Sequence, residues 1–411
     1  MAPAASAGQR DERGRALLLE NIHSDAAWVL HDAGYEVERV DRSLTEDELV
    51  ERLPGVRLLG IRSNTKVTAA ALEAAPDLVA IGAFCIGTNQ IDLPAASSQG
   101  VAVFNAPFSN TRSVVELAIA EIIALTRRLL DKSADMHEGI WDKSAVGSHE
   151  VRGRRLGIVG YGNIGSQLSV LAEALGMSVL FYDTADKLAL GNARRCGTLE
   201  ELLAESDVVT LHVDGRSGNS GMFGEAEFAR MRAGSIFLNL SRGFVVDHDA
   251  LRRHVESGHV AGAAVDVFPV EPKGRGDEFL SGLRGLRNVI LTPHIGGSTE
   301  EAQQDIGNFV AGKLRDYDAE GTTSLSVNLP AVALPRAEGT SRLLLLHHNT
   351  PGVLAAINSV LAEHGLNIEG QVLGTRGHLG LVATDVAGGA QAELVEVLRS
   401  RPETVRLRVL T

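Results

Sequence analysis

The sequence predicts an α/β protein: two doubly wound, Rossmann-like domains and a small C-terminal ferredoxin-like βαββαβ module. Three observations predict it. Short apolar runs alternate with helical periodicity from Arg15 to about Gly297. One such unit, Leu156 to Asp183, reads as strand, Gly-rich turn, helix, strand and acid. From Arg342 on, the order becomes strand, helix, strand, strand, helix, strand.

The chain is organised around that unit. Leu156 to Val159 is a buried strand, and Gly160-Tyr161-Gly162-Asn163-Ile164-Gly165 follows at once. Leu168, Leu171 and Leu175 continue at helical spacing to Gly176. Gly160 permits a tight turn, Gly162 lets a pyrophosphate approach the backbone, and Gly165 lets helix and strand pack closely. The helix N-terminus offers free N–H groups to the phosphates. Asp183 closes the second strand, where a carboxylate accepts from ribose hydroxyls and repels a 2′-phosphate. The expected cofactor is therefore NAD rather than NADP.

The first domain alternates from Arg15. Strands are expected at Arg15 to Ile22, Glu36 to Val40, Arg57 to Ile61, Leu78 to Ile81 and Val101 to Asn105. Helices are expected from Ser24, Thr45 and Thr68. The third strand delivers Arg62-Ser63-Asn64-Thr65 at its carboxyl end, and the fourth delivers the loop through Ile86, Gly87 and Asn89. Ala106-Pro107-Phe108 breaks the pattern, and a long helix from Ser113 crosses into the dinucleotide domain. Glu300 to Tyr317 is a helix that returns. Gly321 to Gly339, with Pro330 and Pro335, lacks periodicity and reads as a linker able to act as a hinge. The expected domains are 1–107 with 299–335, then 108–298, then 340–411.

Composition excludes several classes. The chain has 411 residues, 44% of them apolar, enough for sizeable cores. A net charge of −13 argues against a nucleic-acid backbone as partner. Glu116 and Glu121 interrupt the most apolar helical stretch, so no membrane span is expected. Cys85 and Cys196 lie far apart without metal-ligand spacing; no metal is expected, and a reducing, cytoplasmic setting is. Met1 to Gly14 reads as a frayed tail.

In an open parallel sheet the ligand lies outside the carboxyl ends of the strands. Three strands of the dinucleotide domain end in Ser241-Arg242-Gly243, in Pro269-Val270-Glu271-Pro272 and in Thr292-Pro293-His294. An imidazole titrates near neutral pH and suits the removal of a hydroxyl proton while hydride leaves the carbon. A carboxylate on the other ring nitrogen orients it, and Glu271 is the candidate. Arg242 can grip a carboxylate bidentately. Together the three fit a 2-hydroxy acid.

GYGNIG, LSRG, DVFPVEP and TPHIGGST resemble the D-isomer-specific 2-hydroxyacid dehydrogenases. The resemblance makes Arg242, Glu271 and His294 the catalytic trio. Asn163, Ile164 and Asp266 join Gly160, Gly162, Gly165 and Asp183 in the cofactor set. AFCIGTNQIDL and VFNAPFSNTRSVVELAIAEI narrow the resemblance to the short branch with a C-terminal ACT domain. That branch oxidises 3-phospho-D-glycerate on the way to L-serine. Arg62, Ser63, Asn64, Ile86, Gly87 and Asn89 are then expected to hold substrate. His347, Asn349 and Asn367 match the ligand segments of an ACT domain, and imply L-serine as effector between paired ACT domains. The branch implies a homotetramer, with Trp141 packed between subunits.

One departure stands out. Relatives often carry a second Arg at the position of Asn64. Here the phosphate relies on Arg62, backbone N–H groups and either Lys143 or Arg42. That leaves 2-hydroxyglutarate open as an alternative substrate, and an NAD-sensing interaction protein as an alternative role.

Overall fold

The computed structural model describes residues 13–272 and 276–410. The N-terminal tail, expected to be frayed, lies outside the described residues up to position 12. The described chain forms two compact units, Met1–Ser109 with Gln303–Thr411, and Asn110–Ala302.

The first unit holds two sheets. Strands β1 (Arg15–Leu19), β2 (Glu36–Val40), β3 (Val56–Ile61), β4 (Ala80–Ala83) and β5 (Ala102–Asn105) form a parallel sheet in the order β2-β1-β3-β4-β5. The order reverses beside β1, so a crevice opens past the carboxyl ends of β1 and β3. Leu58, Leu59 and Ile61 of β3 are buried, which is why this segment reads as a near-continuous apolar run. Thr45 and Thr68 start helices as expected: each hydroxyl accepts a backbone N–H of the first turn.

In the same unit, β13 (Thr340–His348), β14 (Ile368–Arg376), β15 (Leu379–Ala387) and β16 (Thr404–Leu410) form an antiparallel sheet ordered β14-β15-β13-β16. Alternate residues of β13 face opposite ways. Leu343 and Leu345 meet the module's own helices through Ile357, Leu361 and Leu394. Leu344 and Leu346, with Leu379 and Leu381, enter a core shared with Leu18, Phe104, Leu314 and Tyr317. The C-terminal module is thus built into the first unit.

The presumed linker differs from expectation. Val327 N–H donates to Val103 O. Asn328 Oδ1 accepts from Val103 N at 2.8 Å, and its Nδ2 donates to Val101 O at 2.9 Å. Leu329 and Val332 are buried. The segment is a strap along β5. Its sequence lacks periodicity because its polar side chains bond backbone instead of lining a face.

The second unit is a seven-stranded parallel sheet. Its strands are β6 (Arg155–Val159), β7 (Ser178–Tyr182), β8 (Arg194–Arg195), β9 (Val208–Leu211), β10 (Ser235–Asn239), β11 (Val260–Val265) and β12 (Val289–Leu291), ordered β12-β11-β10-β9-β6-β7-β8. The order reverses beside β6, the doubly wound dinucleotide arrangement. The helix Thr111–Thr126 lays Val114, Ala118, Glu121 and Leu125 against this sheet. No helix among the described residues is long and apolar enough to cross a membrane.

Candidate active site

The dinucleotide turn has the geometry its glycines require. Gly160 sits at φ +94°, and a Cβ there would lie 2.6 Å from His212 O. A Cβ at Gly165 would strike Gly160 O. A Cβ at Gly162 would meet nothing within 4 Å, so the space above the turn is open. Gly162 is the N-cap of the helix Asn163–Ala174, which has no side-chain cap. Its first N–H groups therefore face that space. Asp183 Oδ2 accepts from Tyr161 N and Oδ1 from Ala185 N, both at 2.8 Å. Each oxygen keeps a lone pair for a ribose hydroxyl. These features fit NAD.

Three strand ends of this unit meet. The backbone of Gly243, after Arg242, sits so close to the Phe268–Pro269 peptide that no Cβ would fit. This ties the Arg242 loop to the loop of Glu271. Glu271 Oε1 accepts from Phe268 N at 3.1 Å, and Oε2 lies 2.9 Å from His294 Nδ1. With the proton on Nδ1, Nε2 is left as a base, with no partner among the described residues. Hydrogen bonding to Glu271 raises the His294 pKa; burial opposes this, and the charges of Glu271 and Asp266 reinforce it. Burial acts to raise Glu271, but the bonds to His294 and Phe268 N outweigh it, and its pKa falls.

Asp266 builds the turn that carries His294. Its backbone O accepts from His294 N at 2.8 Å. Its Oδ1 accepts from Thr292 Oγ1 at 2.6 Å and Ile295 N at 2.8 Å, and its Oδ2 from Gly296 N at 2.9 Å. His294 itself sits at φ +54°, a left-handed conformation that a non-glycine adopts only when its surroundings impose it. Asp266, expected to touch cofactor, thus has a structural task as well.

The substrate candidates lie in the first unit, at the switch point of its sheet. Glu20, just past β1, accepts from the backbone N–H groups of Arg62, Asn64 and Thr65 at 3.2, 3.0 and 2.8 Å. Glu20 is buried. Sequence reasoning missed it, because its partners lie more than 40 residues away. Gln90 Nε2 donates to Arg62 O at 2.6 Å and Gly87 O at 3.2 Å, and Asn105 Nδ2 donates to Ile86 O at 2.6 Å. The turn is held by its backbone, so the Arg62 guanidinium has no hydrogen-bond partner among the described residues. Ser63, Asn64 and Asn89 are exposed. Arg42, one of two cations considered for the phosphate, is bound bidentately by Glu48 at 2.9 and 2.7 Å.

The three effector candidates are not brought together within one chain. Asn349 follows the end of β13 at which His348 pairs with Leu379. Asn367 precedes β14 at the other end of the sheet, where Ile368 pairs with Val386. Seven strand steps separate those ends on β15, roughly 24 Å. Asn349 and Asn367 are exposed, whereas His347 is 2% exposed, its Nδ1 2.9 Å from His348 O. His347 therefore supports β13 and is not open to an effector in this arrangement.

Comparison with known proteins agrees with this geometry. Residues 119–296 match the D-isomer specific 2-hydroxyacid dehydrogenase, NAD binding domain. Residues 343–400 match an AHAS small subunit-like ACT domain. D-2-hydroxyisocaproate dehydrogenase is similar in structure, with a TM-score of 0.69 at 25% identity, covering 76% of this chain and 99% of that one. The chain belongs to the D-isomer-specific 2-hydroxyacid dehydrogenases, and it is an NAD-dependent dehydrogenase. Within that family it is 51% identical over 395 residues to D-3-phosphoglycerate dehydrogenase of Haemophilus influenzae, covering 96% of each chain. It is 48% identical over 397 residues to the enzyme of that name from Escherichia coli, covering 96% of this chain and 97% of that one.

Proposed function

We propose that this chain oxidises 3-phospho-D-glycerate to 3-phosphooxypyruvate, at the head of the phosphorylated route to L-serine. The observation that carries the chemistry is the Glu271–His294 pair with Nε2 free, on the loop that touches the Arg242 loop. The relatives named for phosphoglycerate support the substrate. NAD, when bound, supplies the acceptor for the hydride leaving C2. The residues do the rest. Arg242 binds the carboxylate and steadies negative charge on the adjacent oxygen. His294 Nε2 takes the hydroxyl proton, and Glu271 stabilises the imidazolium that forms. The Arg62 guanidinium, the Ser63 N–H and the Ser63 and Asn64 side chains receive the phosphate, with Ile86, Gly87 and Asn89 alongside; the N–H groups of Arg62, Asn64 and Thr65 stay with Glu20. Asp183 holds the adenosine ribose.

Asn64 adds no charge to the phosphate turn, which favours 2-hydroxyglutarate as a second substrate. Steady-state turnover with NAD and each acid separates the two. The reading requires phosphoglycerate to be preferred and Arg62→Ala to raise its KM much more than that of 2-hydroxyglutarate. Equal loss on both would overturn the phosphate role of Arg62.

Regulation and assembly belong to the same reading. L-serine lowers turnover by binding between the ACT domains of two chains, at Asn349 of one and Asn367 of the other. Exposed Trp141, Ile140 and Val146 support association of the second unit with another copy, to a homotetramer. Free Cys85 and Cys196 suit the cytoplasm.

A further inference from the structure

The helix Thr111–Thr126 carries an acid where its pattern calls for an apolar residue. Val114, Ala118, Glu121 and Leu125 recur at spacings of four, three and four, one stripe of a helix, and that stripe faces the sheet. Glu121 is 3% exposed. Neither carboxyl oxygen has a hydrogen-bond partner among the described residues. An unpaired buried carboxylate is costly, and such a group calls for an explanation.

The surroundings supply one. β10, β11 and β12, which pack on this helix, contain no charged residue. The helix Asn163–Ala174 carries only Glu173, bonded to Asn192 N. The following helix, Leu129–His137, holds Asp131, Lys132, Asp135 and His137, beyond the other end of the stripe. On the helix itself, Arg112 and Glu116 pair at the surface. At the active-site end stand Asp266, directly after β11, and the His294 turn beyond β12. Val114 reaches this turn, lying 3.4 Å from the place of a Cβ on Gly296. Burial, and then the charge of Asp266, push Glu121 up to about 8, so it is a neutral acid at pH 7. Asp266 Oδ1 is already used twice, whereas among the described residues Oδ2 has Gly296 N as its one donor.

We propose that Glu121 is a positioning residue for the dehydrogenase reaction: it donates a hydrogen bond through one bridging water to Asp266 Oδ2, and so fixes the turn that presents His294. Its ionisation puts a second buried negative charge behind Asp266. That loosens the turn and gives the rate a dependence on pH beyond the one His294 imposes. The proposal rests on His294 as the base. The proton on Glu121 is measured without turnover, so failure of either reading can be told from failure of the other.

Infrared difference spectra of the wild-type protein between pH 6 and 9 should show a buried protonated carboxyl band that vanishes near pH 8. Glu121→Gln should lack it. In the same variant the melting-temperature gain over wild type should grow with pH from about 4.5 to 8. An acid whose folded pKa is raised weakens the fold over that window, as the unfolded chain gives up its proton first. Glu121→Leu, which cannot donate, should lower kcat by roughly a hundredfold, the scale for a displaced catalytic group, with NAD affinity by calorimetry unchanged. Glu121→Gln should restore most of that loss and erase the inflection near pH 8. Two results overturn the proposal: no protonated carboxyl in the wild type at neutral pH, or superimposable pH profiles for wild type and Glu121→Gln. If Glu121→Gln does not fold, the wild-type infrared titration decides alone.

Discussion

His294 occupies a left-handed backbone conformation because Asp266 accepts from four groups of its turn. The role proposed for it, as base, needs one nitrogen free and the other bonded to Glu271. His294→Asn should lower turnover by about two to four orders of magnitude, the usual scale for general acid–base catalysis. Calorimetric NAD affinity should stay near normal. A variant with more than half the wild-type rate removes His294 from the mechanism. The pair also sets a pH dependence of known sign. His294 must be neutral to take a proton, and Glu271 raises its pKa. Glu271→Gln should therefore move the acid limb of kcat/KM to lower pH, while the maximum falls. A limb that stays put would show that the two do not titrate together. The Glu271–His294 pair was legible in the sequence because each member follows a strand within a dense motif. The resemblance makes Asp266 a cofactor residue; its role in the turn is hidden in the sequence, because all five of its bonds reach more than 25 residues away.

At the scale of elements, strands and caps were legible wherever one physical pattern governed them. Buried parallel strands read as apolar runs, and Thr45 and Thr68 sit where a cap belongs. The substrate turn was half legible. Arg62 to Thr65 could be placed at a strand end, yet what shapes them is Glu20 on the neighbouring strand end. Glu20→Ala should destabilise the first unit by about 2–3 kcal/mol, since buried N–H groups lose a charged acceptor. It should raise the KM of the hydroxy acid at least about tenfold, as the turn that gathers its far end loosens. The KM for NAD should hold, because the cofactor crevice lies in the other unit. Unaltered substrate kinetics would leave Glu20 a purely structural acid. The strap from Gly321 to Gly339 was read as a hinge for the opposite reason. Its order comes from Asn328 and Ser326 bonding β5, a pattern without period.

The C-terminal module was legible as a fold, but its attachment to the first unit was not. An alternating strand shows that it has two faces without showing what covers the second. Arg408 donates to Asp318 at 2.5 Å and Arg342 to Glu320 O at 2.7 Å, beside the shared apolar core. Removing residues after Glu338 should therefore lower the melting temperature and promote aggregation, instead of releasing an intact enzyme; an unchanged melt would show the seam to be weak. Control by serine needs a milder test. Asn349 and Asn367 lie at opposite ends of one sheet, so a site that uses both must draw one from each of two chains. Asn349→Ala and Asn367→Ala should each abolish inhibition and spare the uninhibited rate. Mixed after mild dissociation, the two variants should regain it. In a hybrid pair one site receives both alanines and the other receives neither. Random pairing leaves roughly a quarter of all sites intact. Calorimetry on the mixture should find that fraction of the wild-type serine sites at wild-type affinity. Absence of recovery in verified hybrids would place both residues in one chain's site, or remove one of them from it. Coupling of about 1–3 kcal/mol between such a site and the active site suffices for inhibition of about 5- to 150-fold.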